Sequence, residues 1–105
     1  MIRQGVITLT ASAQQFETAL SLSEIGQRLR MVAVQPDAAN SNVLYIGGAG
    51  VTTVNGIRLE APSGGIPSAP FQLSELFGQG ILLLSDFYTL GTVGEKLRVF
   101  WIPQI

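Results

Sequence analysis

The run Leu97-Arg98-Val99-Phe100-Trp101-Ile102 carries apolar side chains on both of its alternating faces. Leu97, Val99 and Trp101 stand on one, and Phe100 and Ile102 stand beside Arg98 on the other. A strand of this kind has to be covered on two sides. It belongs either at the centre of a sandwich or where a neighbouring subunit packs against the sheet.

The rest of the chain reads in the same way. Val6 to Thr10 alternates, with Ile7 and Leu9 on one face and Val6, Thr8 and Thr10 on the other. Arg28 to Val34 alternates as well, placing Leu29, Met31 and Ala33 opposite Arg28, Arg30, Val32 and Val34. Val43 to Gly47 is a short strand. Ala13 to Leu22 fits a helical turn around Phe16 and Leu20 or a short strand from Gln15 to Ala19, and Gly26 ends it in either case. Asn55-Gly56, flanked by Thr52 to Val54 and Ile57 to Leu59, is the dipeptide of a two-residue type I′ hairpin. Phe71 to Leu73 starts a strand, Leu73 to Phe77 reads as one helical turn capped by Ser74 and stopped by Gly78, and Ile81 to Leu90 holds one or two strands. Breakers separate these runs: Pro36, Asp37, Asn40, Ser41 and Asn42 between the second and third, three prolines and two glycines in Ala61 to Pro70, and Gly91 to Gly94 before the last. Strand, turn, strand throughout predicts an all-β fold in one domain spanning residues 1–105, an antiparallel β-sandwich or jelly-roll-like barrel with long surface loops.

Composition narrows the function. Charged residues are 12% of the chain against about 25% in an ordinary soluble domain. So small a core does not accommodate all the apolar residues, and some are expected on the outside, where assembly covers them. The six basic residues are scattered and the net charge is −1, which leaves no electrostatic footprint for nucleic acid. No apolar run approaches the roughly 20 residues that span a bilayer, and the N-terminus lacks a signal peptide's apolar core, so no membrane partner is expected.

The chain has no histidine and no cysteine, so histidine- or thiol-based relays and the usual zinc sites cannot be built. No catalytic residue, cofactor or metal is expected. Gly47-Gly48-Ala49-Gly50 lacks the third glycine and the Gly-Lys-Ser/Thr of a nucleotide loop and reads as a sharp turn. Asp37, Asn40 and Asn42 read as turn caps rather than calcium ligands. Trp101 and Tyr45 lie within strands, as core or interface anchors or as platforms for a sugar. The candidates for a protein–protein interface are Phe71, Leu76, Phe77, Phe100, Trp101 and Ile102.

Val43-Leu44-Tyr45-Ile46-Gly47-Gly48, Val51-Thr52, Asn55-Gly56 with Leu59 and Pro62, and Gly94-Glu95-Lys96-Leu97-Arg98-Val99 follow one another in an order that resembles a group of small tailed-bacteriophage structural proteins. The resemblance covers about Val43 to Ile102. It departs at Ser68 to Leu84, where Gln79-Gly80 and four apolar residues replace a short Asp-rich stretch. The resemblance implies a β-sandwich located in the virion, often with a role in decorating or cementing the capsid shell. The expected partners are then the major capsid protein or other virion proteins, with the chain forming a small homo-oligomer, such as a trimer, on the capsid exterior and gripping coat subunits by apolar contacts and β-augmentation. A carbohydrate- or receptor-binding module of a fibre or tail, and a head-to-tail connector or baseplate component, are the other functions expected of such a chain.

Overall fold

The computed structural model describes residues 2–22, 26, 28–62, 69–73 and 82–104. The strands are β1 (Arg3–Thr8), β2 (Gln14–Gln15), β3 (Leu29–Pro36), β4 (Leu44–Gly47), β5 (Ile57–Leu59), β6 (Phe71–Gln72), β7 (Tyr88–Leu90) and β8 (Lys96–Pro103). One helical turn, α1 (Phe16–Ala19), follows β2, and a 3-10 turn at Leu84–Asp86 precedes β7. They build two antiparallel four-stranded sheets, in the orders β1-β8-β3-β6 and β2-β7-β4-β5. Ile7, Val32, Val34, Leu97, Val99 and Trp101 from the first meet Leu44, Ile46 and Leu59 from the second in one buried cluster, so the expected antiparallel sandwich is the fold observed. Pairing is nested: β1 lies beside β8, β2 beside β7, β3 beside β6 and β4 beside β5. Phe16 and Phe87 add to the core with ring centroids 5.7 Å apart.

Alternation alone misassigns β3. Read in strict period two, Leu29 shares a face with Met31 and Ala33, yet Leu29, Val32 and Val34 are the residues in the core cluster. The reason is a bulge: Leu29 pairs with Pro103 and Met31 with Ile102, so β3 spends one extra residue at Arg30 and its side-chain phase flips. The segment Ala13 to Leu22 is strand and helix in turn, β2 running straight into α1.

The hairpin around Asn55-Gly56 also differs from expectation. Thr52–Val54 is not a strand; β4 pairs with β5 across the loop 48–56, and neither Asn55 nor Gly56 has the positive φ of a type I′ turn. Asn55 instead laces the loop, its Oδ1 accepting from the Thr52 N–H at 2.8 Å and its Nδ2 donating to the Gly50 carbonyl at 3.2 Å. Gly56 is required by contact: a Cβ there would lie 2.8 Å from Val51 Cγ2 and 3.0 Å from Tyr45 Cβ. Gly56→Ala is therefore expected to destabilise the fold by about 1–3 kcal/mol. Gly48→Ala, which meets nothing within 4 Å, leaves the thermal midpoint near the wild-type value.

The loop after β3 is held to β8 by side chains that imitate a strand. The buried Asn40 amide donates to the Lys96 carbonyl at 2.7 Å and accepts from the Lys96 N–H at 2.9 Å. One residue earlier, the Glu95 carboxylate accepts from the backbone N–H groups of Ser41 and Asn42 at 2.7 and 3.0 Å. Gly94, at φ +91°, makes the turn that delivers Glu95. Asn40→Ala removes two buried bonds at once, and a loss of about 2 kcal/mol is expected in denaturant titration.

Candidate interaction surface

Because β8 alternates strictly, the side chains opposite the core all emerge on the outer face of the first sheet. Lys96, Arg98, Phe100 and Ile102 line that face, exposed at the charged end and half-buried at the apolar end. Register places their neighbours. Val6 and Gln35 flank Arg98, Gln4 and Ala33 flank Phe100, and Met31 lies beside Ile102. The charged end is loosely knit, with Arg98 Nη2 3.7 Å from Asp37 Oδ1. Gln4, Val6, Asp37, Lys96, Arg98 and Phe100 surround a shallow groove of about 530 Å³. On the β1 side Val6 is 51% exposed and Ile2 63%, so apolar surface continues to the sheet's border.

Of the interface candidates, Phe100 and Ile102 meet on this face. Trp101 points the other way and is only 3% exposed, sealed between the sheets, which removes it from any exposed contact or sugar platform. Phe71 is half-buried at the sheet's far edge, opposite Val34 and packed against the core. Leu76 and Phe77, with the helical turn expected around them, lie outside the described residues. Val6 and Met31 were not among the candidates; Val6 carried a signal, an apolar residue on the face it shares with Thr8 and Thr10.

The second sheet offers a different concavity. Its outer row sets Leu90, Tyr45 and Arg58 side by side. Tyr45, with Asn42, Val43, Thr53, Glu60 and Leu90, lines a groove of about 550 Å³. Glu60 is paired to Arg58 at 2.9 Å on the exposed surface.

Three polar side chains, Glu17, Asp37 and Asn40, have structural tasks. Glu17, buried in α1, accepts the Gly26 N–H at 2.8 Å. Asp37 Oδ1 caps the Ala39 N–H at 3.1 Å as expected of a turn residue, whereas Asn40 caps no turn and ties the loop to Lys96 of β8, and the Asn42 side chain donates to the Ser41 hydroxyl. Among the described residues no group of three or more acidic side chains is placed to hold a metal ion.

No protein family, curated protein or solved structure matches the chain.

Trp101 is the sole tryptophan, and its fluorescence is expected to resist acrylamide quenching until the protein unfolds. Phe100→Trp in a Trp101→Phe background is expected to be readily quenched, since the two neighbouring positions face opposite sides of the sheet.

Proposed function

We propose that this protein is a non-catalytic structural component of a tailed-bacteriophage virion, a decoration or cement protein that stabilises the head shell through protein–protein contacts on the capsid exterior. The observation that carries the reading is the outer face of the first sheet, where Phe100, Ile102, Met31 and Val6 give an apolar strip reaching β1, the edge strand of that sheet among the described residues. Strips of this kind on small, weakly charged domains are covered on assembly. The nested strand pairing supports it by analogy of architecture, because jelly rolls, used in viral capsid domains and in lectins, also pair their strands in a nested order across two sheets. The motifs on which the sequence resemblance rests fall on β4, on the 48–56 loop and on the Glu95 staple, features that hold the sandwich together.

The groove at Tyr45 favours a second reading, a carbohydrate- or receptor-binding module of a fibre or tail, with the ring as platform and Asn42, Thr53 and Glu60 as hydrogen-bonding rim. The two readings place the contact on opposite sheets.

Heads assembled without the chain are expected to bind the purified protein in cosedimentation. Phe100→Glu is expected to abolish that binding while keeping the wild-type thermal midpoint, and Tyr45→Ala to leave it intact. Binding unaffected by Phe100→Glu, or no binding to heads, contradicts the proposal.

A further inference from the structure

We infer that β1 is a homotypic seam: two copies pair their β1 strands antiparallel about a twofold axis at Val6, joining two four-stranded sheets into one of eight strands. The inference deepens the assembly reading and rests on it for the use of the dimer.

The sheet edges are unequal. β1 is six residues long, whereas the other edges, β2, β5 and β6, have two, three and two. No described strand lies beyond β1. Edges of this length are ordinarily protected by lysine, proline, a bulge or a covering element. β1 has no lysine or proline, its pairing with β8 runs without a bulge, and Arg3 is its one charge.

Length also selects the occupant. A strand that satisfies β1 has to offer an edge of comparable length, and among the described residues only β1 itself does. A heterologous ring such as a trimer, in which β1 pairs with a neighbour's β2, β5 or β6, would leave at least three of its six residues unpaired. An isologous pair leaves none unpaired at its centre and closes on itself.

The side chains are compatible with self-pairing. With the axis at Val6, that residue lies beside its own copy, Gln4 lies opposite Thr8, and Gly5 opposite Ile7. Arg3 falls opposite Leu9, and the two Arg3 residues stand six positions apart, about 20 Å along the strands. That is well beyond the screening length of about 8 Å at physiological salt. The contact covers the exposed Val6 and extends the Phe100 strip across the seam. A seam made by one six-residue strand edge is small and falls in the weak class below about 1,200 Å² in total. On a shell, a doubled face would engage two sites at once, which raises affinity without new contacts.

The absence of cysteine provides a clean test. Val6→Cys is expected to form a disulfide dimer under mild oxidation at dilutions where Val93→Cys, on the 69% exposed turn before β8, stays monomeric. In sedimentation equilibrium the wild-type mass is expected to rise from 11.2 kDa toward twice that value with concentration. Val6→Lys is expected to hold it at the monomer with an unchanged circular dichroism spectrum. A wild-type mass that stays at the monomer value throughout, or Val6→Cys that crosslinks no faster than Val93→Cys, overturns the inference. A monomeric protein that still binds heads would sink the seam and spare the decoration reading; a dimer that ignores heads would do the reverse.

Discussion

Burial of the inner face of β8 is the interaction on which the rest of the structure depends. Leu97, Val99 and Trp101 project from it into the space between the sheets, with β1 on one side supplying Ile7 and β3 on the other supplying Val32 and Val34. Fully burying side chains of this size stabilises by about 1.5–3 kcal/mol each. The same strand then has no freedom over what it shows outside. Once Leu97, Val99 and Trp101 are fixed inward, Arg98, Phe100 and Ile102 must face outward, and the surface is a consequence of the core.

Two local devices hold β8 at that position. At its start, Gly94, Glu95 and Asn40 tie the turn before it and the loop after β3 to one another. Toward its end, the Arg30 bulge lets β3 keep Leu29, Val32 and Val34 in the core despite an odd spacing. Gly5 lies in the neighbouring strand, where a Cβ would come 2.6 Å from Leu20 Cδ2 and make the tip of that side chain shift. The edge strand is thus anchored through β8 and its inner side, with Val6 and Ile2 exposed on its outer face.

Much of this was legible in the residues, and the failures have physical causes. Ile7 with Leu9, and Leu97 with Val99 and Trp101, were assigned to single faces by alternation, and all five are buried. β3 defeated the same rule because a bulge is a property of the pair of strands, invisible in either alone. Asn55-Gly56 has the composition of a tight hairpin, but Gly56 answers to Val51 and Tyr45 rather than to a positive φ. β1 begins three residues before the alternating run suggests, because pairing with β8 extends it over Arg3, Gln4 and Gly5. The outer face was partly legible: Phe100 and Ile102 emerge on it together, while Trp101, one step out of phase, belongs to the core. Chemistry type gave no means of telling them apart; the side of the sheet did.

The first sheet is covered on its inner face, and on the proposed reading β1 and its outer face are covered only on assembly. Residue-resolved amide hydrogen exchange, comparing dilute isolated protein with protein bound on assembled heads, tests this most directly. The β1 amides directed away from β8 are expected to exchange quickly in the isolated chain and to become protected on assembly, while the β8 amides stay slow in both. Equal protection of β1 in the two states, or new protection confined to the sheet that carries Tyr45, would contradict it.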